Sequence, residues 1–523
     1  MRLVVVAHRW LGAALAVILT VWFLSGIVMM YWSYPSVTQA DRLRHAPTLD
    51  PRTVKLTVEQ AFSGPGRERP RRVALSSFDG RPVYLGDQSM IYADDGSEQR
   101  TVDRGMVNRA AAFWTGRPAE EATVESIGAV DQWTLSGQLR TLRPLFRFSW
   151  PDGQQVYVDG TTAEVVQYTT RASRFWAYLG AIPHWLYVPA LRTHDAAWLS
   201  GMIWASTIGA VASALGLAIA GWRYSPRRRY RYQGAPSSLP YRGWKRWHTV
   251  AGLAVGLVAI SWTFSGLLSL EPFRLEERLT RLSVRRDPAN DGAAAQAWSR
   301  MADLLLGAPV PAAQYASRPP ASVIASLPDF EIKELEHASL AGEPVYLAIG
   351  HRETRIVPVR GATIDPQDLV HRVRAAAGPH AEVELIDAFD AYYRDRTGVL
   401  PLPVIRVRMK DSVGSRYYIN PKTAMIVGSY ITREWVSRWL YHGLHSMDFP
   451  WLYNHRPLWD VVVLTLLLGG AALCGTSLVL AWRVVARTLL RMTAALSAGA
   501  HSAEDSSGTA LAQKARSVVR FRT

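Results

Sequence analysis

The chain has one cysteine, Cys474, among 523 residues. A single thiol excludes a disulfide framework and any Cys-based zinc or iron–sulfur site. Folded regions outside a bilayer must therefore stand on hydrophobic cores. Acidic residues are also scarce, with 43 Asp and Glu against 59 Lys and Arg, a net charge of +16. No G-x-G-x-x-G opens a dinucleotide fold, no G-x-x-x-x-G-K-[ST] opens a P-loop, and no H-E-x-x-H marks a zincin.

Charge is missing altogether from four long apolar runs: Leu11–Tyr34, Ala196–Trp222, Thr249–Leu270 and Val461–Trp482. Each is long enough for the roughly 30 Å hydrocarbon layer, which takes about 20 helical residues. The first is too long for the apolar core of a signal peptide and has no small-residue cleavage site behind it, so it reads as an uncleaved span. Between runs two and three, residues 223–247 carry Arg227, Arg228, Arg229, Arg231, Arg242, Lys245 and Arg246 and no Asp or Glu. Arg2 and Arg9 flank the first run, and Arg483, Arg487 and Arg491 follow the fourth. The positive-inside rule places these segments and both termini in the cytoplasm, with the two long intervening regions outside. The basic excess then answers to topology and anionic lipid, and no nucleic acid is needed to explain it. Spans without ionisable residues also argue against a transporter.

What is present, in duplicate, is histidine at the ends of the runs. His8-Arg-Trp-Leu-Gly12 and Trp22-Phe-Leu-Ser25-Gly26 recur 240 residues later as His248-Thr-Val-Ala-Gly252 and Trp262-Thr-Phe-Ser265-Gly266. At an offset of 261, His184, Pro189, His194 and Trp198 recur as His445, Pro450, His455 and Trp459. Neutral imidazole is a strong iron ligand, so paired histidines on repeated spans point to a bound metal or haem. His8 and His248 form one natural pair, and Gly12 and Gly252, one helical turn on, leave room for a flat macrocycle. His184 with His445 and His194 with His455 offer one or two more sites. His442, one turn before His445, has Ala181 as its counterpart and is the weaker ligand. The competing reading makes these histidines interfacial anchors and the glycines helix-contact sites. Repetition of the pairs favours ligation. His45, His337, His351, His371 and His380 have no repeat partners and read as solvated or structural.

The intervening regions also repeat. Pro82-Val-Tyr-Leu85 returns as Pro344-Val-Tyr-Leu347, and Tyr157-Val-Asp-Gly-Thr-Thr-Ala163 as Tyr418-Ile-Asn-Pro-Lys-Thr-Ala424. Alternating stretches such as Leu145–Trp150 and Val404–Met409 predict strands, and Val54–Phe62 and Pro366–Ala377 predict helices. Each region reads as a small α+β unit. Aromatic segments from Phe175 to Tyr187 and from Trp439 to Tyr453 predict interfacial helices, ended by Pro189 and Pro450 before the spans begin. The expected domains are a first span (1–34), an outer α+β domain (35–173), an interfacial helix and second span (174–222), a basic loop (223–247), a third span (248–270), a second outer domain (271–434), an interfacial helix and fourth span (435–482), and a basic, partly disordered tail (483–523).

The stretch Tyr441-His-Gly-Leu-His-Ser-Met-Asp-Phe-Pro450, the His8-Arg-Trp-Leu-Gly12 opening and the turns at Thr162 and Thr423 resemble the PepSY-associated transmembrane proteins over about residues 1–485. Ala163 and Ala424 depart from the family, which has Thr-Gly at these turns. The resemblance implies an α-helical bundle of four spans carrying two α+β PepSY-like domains, internally duplicated, in a bacterial inner membrane with the domains in the periplasm. Its ferric-siderophore reductase-like members imply electron transfer through haems held by histidines. Here that role falls on His8, His248, His184, His445, His194 and His455, with two non-covalent b-type haems. The implied partners are the lipid bilayer, a cytoplasmic-side electron donor that the residues do not identify, and a ferric chelate or siderophore outside, in iron acquisition. A second expectation of the same family is a non-enzymatic membrane anchor that binds or restrains a peptidase.

Overall fold

A computed structural model describes residues 1–64, 67, 73–86, 89–272, 288–306, 310–340, 342–361, 365–395 and 400–519. The chain divides into two compact units. A helical unit holds residues 1–31, 199–270 and 455–523, and a sheet unit holds residues 32–198 and 271–454.

In the sheet unit the two intervening regions share a sheet. Strands β1 (Val73–Phe78), β2 (Arg81–Leu85) and β3 (Met90–Tyr92) come from the first region. Strands β4 (Thr123–Ile127), β5 (Leu145–Ser149), β6 (Gln155–Asp159) and β7 (Val165–Thr169) follow. Beyond a short hairpin of the helical unit, β8 (Tyr230–Tyr232) with β9 (Ala235–Ser237), come β10 (Glu334–Leu340), β11 (Glu343–Ile349) and β12 (Thr354–Pro358). The last four are β13 (Ala381–Ile386), β14 (Val404–Met409), β15 (Arg416–Ile419) and β16 (Ile426–Tyr430). One antiparallel sheet runs β12-β11-β10-β1-β2-β3, so its middle pair joins the two regions. This differs from the expectation of two self-contained α+β domains. A three-stranded meander has two open edges, and pairing β1 with β10 covers one edge of each meander. Leu75, Tyr84, Ile91, Leu335 and Tyr346 form the fully buried core beneath it.

Each region also has its own four-stranded meander, β4-β5-β6-β7 and β13-β14-β15-β16. Both carry a helix on one face. Arg104–Thr115 starts on an Asp103 cap and packs Val107, Ala111 and Trp114 onto Phe148, Val156 and Val158. Pro366–Ala377, with Pro at its first position, packs Leu369, Val370 and Val373 onto Ile405, Val407 and Ile419. Their registers slip at matching places, Tyr157/Val158 and Tyr418/Ile419. In each, a buried tyrosine hydroxyl donates to an aspartate that also binds an arginine: Tyr157 to Asp131 with Arg147, and Tyr418 to Asp390 with Arg406. Burial pushes the Asp390 carboxyl up, but Arg406, the Tyr392 and Tyr393 amides and Tyr418 outweigh it and hold the carboxyl below its ordinary range.

Among the described residues four helices, all centred in the helical unit, are long and apolar enough to cross a membrane: Arg2–Met29, Asp195–Arg223, Gly243–Leu268 and Leu458–Thr493. Outward-facing Val17, Trp204, Leu257, Leu468 and Trp482 are more than half exposed, the surface lipid would cover. Inward, small residues admit large ones. A Cβ on Gly470 would lie 2.0 Å from the Phe23 ring, and Phe23 packs on Trp262 at 5.6 Å. The first helix begins at Arg2 rather than near Leu11, so His8 lies inside it. The fourth continues to Val519, where a partly disordered tail was expected. That tail is rich in alanine, the best helix former. Pro189 and Pro450 do not end interfacial helices. Each opens a separate one-turn helix, Pro189–Arg192 and Pro450–Tyr453.

Candidate histidine sites

In the helical unit the first and third spans bring His8 and His248 together, with ring centres 6.0 Å apart and planes inclined by 34°. Each ring is oriented through Nδ1. His8 Nδ1 lies 2.9 Å from the Ala212 carbonyl of the second span. A carbonyl only accepts, so Nδ1 carries the proton and Nε2 keeps its lone pair. His248 Nδ1 lies 3.1 Å from Thr476 Oγ1 of the fourth span. That hydroxyl spends its own hydrogen on the Leu473 carbonyl, so it accepts from His248, and the His248 Nε2 lone pair is likewise left. Histidines that bind metals are typically fixed in this way, through the nitrogen remote from the metal.

Space around the pair is made by glycine. A Cβ on Gly216 would stand 2.6 Å from His8 Cε1 and 3.3 Å from Nε2, so the imidazole sits close against a bare backbone. Gly12 has nothing within 4 Å of an added Cβ, and Gly252 only Leu473 at 3.8 Å. Neither glycine therefore faces tightly packed neighbours. Gly216, Ala212 and Thr476 were not singled out from the sequence. Gly216 is one of many span glycines, and the other two act through a main-chain oxygen and a common hydroxyl.

In the sheet unit His184 and His445 meet with ring centres 6.1 Å apart, nearly perpendicular at 74°. His184 rides the short helix Ala181–Trp185, which Leu186 ends in a left-handed conformation. His445 follows a π-helical turn, Val436–Gly443, that contains His442. Widened turns of this kind often mark functional sites. The turn is tied down by buried charge. Arg438 reaches the carbonyls of Ala391 and Asp448, Asp448 is fully buried and ion-paired to Arg394, and the Asp448 amide donates to the His442 carbonyl at 3.2 Å. These three residues were missed. Arg438 and Asp448 in an otherwise apolar aromatic stretch were the available signal.

His194 and His455 belong to different units, and each is exposed at the start of its span. His442 lies beside Tyr441, with ring centres 4.9 Å apart and planes inclined by 49°. Elsewhere, His45 stacks on Trp114 at 4.0 Å, and His351, His371 and His380 are exposed.

An imidazole nitrogen sits about 1.1 Å from its ring centre and binds transition metals at about 2.0 Å, so two imidazoles on opposite sides of one ion stand about 6.2 Å apart centre to centre. Both observed pairs match that separation. Among the described residues no three His, Cys, Asp or Glu side chains converge on a point that could hold a metal. The arrangement suits an ion whose other ligands come from a cofactor.

These features define a membrane protein with four candidate spans, sheet-rich domains and two facing histidine pairs. The chain belongs to the family described as the PepSY-associated TM region, whose model matches residues 5–339. Comparison with curated proteins gives no match.

Proposed function

We propose that this protein moves electrons across a bacterial inner membrane through two non-covalent b-type haems, one between His8 and His248 and one between His184 and His445. The acceptor is a ferric chelate or siderophore on the periplasmic side. The observation that supports this best is the separation of 6.0 and 6.1 Å in the two pairs, a spacing at which two imidazoles could hold one metal ion between them. The donor chemistry agrees, since Ala212 and Thr476 leave both inner Nε2 atoms as neutral acceptors. Haem iron, when bound, supplies a one-electron carrier whose potential the surrounding residues tune. His194 and His455, both exposed, take no ligand role in this reading.

The same reading orients the chain with both termini and the Arg-rich segment 223–247 in the cytoplasm and the sheet unit outside. It also takes the chain as a duplicated unit, because counterparts His8 and His248, and His184 and His445, face one another. Reducing Fe(III) to Fe(II) weakens a hard-oxygen chelate, and the product of the reaction is released iron.

The test is the absorption spectrum of protein purified from haem-replete cells, oxidised and dithionite-reduced, with haem quantified per chain. Two haems, a reduced α-band, loss of one haem in His8→Ala and of the other in His445→Ala, and Fe(II) trapped by a ferrous chelator after adding a ferric siderophore are expected. A folded protein with no Soret band would overturn the proposal and leave the peptidase-binding anchor as the better account.

A further inference from the structure

The proposed electron path needs a donor, and the segment between the second and third spans folds only as a two-stranded hairpin, too small for a nucleotide or flavin domain. On the face of the helical unit next to His248 there is a cleft of about 520 Å³ between the third and fourth spans. Its walls are Trp244, Trp247, Val250, Ala251, Ala472 and Thr476. The volume lies in the range of small-ligand sites. The lining carries no charged side chain, which suits an uncharged ligand better than an anionic cofactor. Trp247 is 64% exposed and Trp244 44%, so the cleft opens sideways, where lipid would lie. It occupies the first turns of the third span, just after the Arg-rich segment, at the depth of a bilayer interface.

Thr476 connects this cleft to the histidine pair. Its Oγ1 gives its hydrogen to Leu473 and takes one from His248 Nδ1. A hydroxyl oxygen has two lone pairs, so one remains for a ligand in the cleft that Thr476 lines. The cleft thus presents two indole walls and a hydrogen-bond acceptor. We infer that it binds the head group of a lipid-soluble quinol, which lies flat between the indoles and donates an O–H to Thr476 Oγ1. A quinone has no O–H to give, so the same site holds the reduced form more tightly than the oxidised one. That asymmetry admits the donor and releases its product. The inference rests on the electron-transfer reading for its purpose. Oxidation of one quinol to quinone gives two electrons and two protons. The electrons pass singly toward two Fe(III) chelates, which become Fe(II), and the protons leave to water at the Arg-rich end.

The experiment uses the full chain in detergent with a short-chain benzoquinol under anaerobic conditions. In parent protein the quinol should reduce the haem absorbance and quench indole fluorescence. Ala472→Phe, which puts a ring into the cleft at a position that does not bond His248, should keep its haem and its dithionite reduction but lose about tenfold or more in quinol-driven rate and most of the quenching, the loss of one good contact set. Quinol reduction at parental rate in Ala472→Phe overturns the site. So does parent protein that dithionite reduces and quinol does not, or a phospholipid that remains bound by native mass spectrometry under excess quinol. Quenching is read in haem-free protein as well. Protein without haem whose indoles the quinol still quenches, in an Ala472→Phe-sensitive way, would overturn the haem reading and leave the cleft assignment standing.

Discussion

Ala74 faces Glu336 where β1 pairs with β10, and the two are counterparts at the offset of 262 that aligns Pro82–Leu85 with Pro344–Leu347. The flanking pairs exchange places: Val73 faces His337, and Leu75 faces Leu335. The counterpart of Val73 is Leu335, and that of Leu75 is His337. The junction therefore has two-fold symmetry about Ala74 and Glu336, broken where a fully buried leucine in one half becomes a histidine in the other.

That histidine should make the sheet unit acid-sensitive. Both His337 ring nitrogens are sealed from solvent, among the rings of Tyr84, Tyr315 and Tyr346. Burial, offset only in part by the Val73 backbone, holds the imidazole down at about 4. The unfolded chain takes up its proton near pH 6.5 and the folded chain does not, so stability is complete above about 6.5 and falls as pH drops toward 4. By pH 5 the loss is about 2 kcal/mol. Thermal melts of the solubilised chain at pH 8 and pH 5 should show it, and His337→Leu should shrink the difference. An equal pH effect in both proteins would assign the titration elsewhere.

The two alanines that stand where the family has glycine make a second case. Ala163 and Ala424 adopt φ of 57° and 54°, the left-handed region that costs a residue with a Cβ roughly 1 kcal/mol. Ala163→Gly and Ala424→Gly should each raise the melting midpoint by a few degrees, with part of the gain returned as backbone entropy in the unfolded chain. Midpoints that fall in both variants would show that buried packing of the methyls outweighs the strain.

The clamp behind His445 is open to a conservative change. Asp448→Asn keeps the shape and the backbone carbonyl that Arg438 reaches, but takes the buried carboxylate from Arg394, at a cost of about 3 kcal/mol. Under the two-haem proposal the π-helical turn loosens, haem falls from about two to about one per chain, and the surviving spectrum is that of His445→Ala. Unchanged haem content would confine Asp448 to stability alone.

Much of this was legible because periodicity and repetition are carried by residue type. The spans, the strand pairs and the facing of His8 with His248 and His184 with His445 follow from apolar length, alternation and matched spacing. The joining of both regions in one sheet was not legible. Val73–Phe78 alternates like any strand and says nothing of whether its open edge meets water or β10. Nor were the groups that orient the histidines, since a carbonyl such as that of Ala212 has no sequence signature.

Gly216 gives the sharpest test of the inner pair. It lies one helical turn beyond Ala212 on the second span, so one stretch of backbone both accepts from His8 Nδ1 and leaves room for its ring. Gly216→Ala would put a methyl 2.6 Å from His8 Cε1, too close for any relaxed contact, and the imidazole must leave the position it holds beside His248. Gly221→Ala on the same helix meets nothing within 4 Å and serves as the control. Gly216→Ala should bind about one haem per chain instead of about two, while Gly221→Ala keeps both. Combining Gly216→Ala with His8→Ala should cost no further haem, because both remove the same ligand. If Gly216→Ala keeps both haems with unchanged reduced spectra, His8 is not an axial ligand in the orientation it has here.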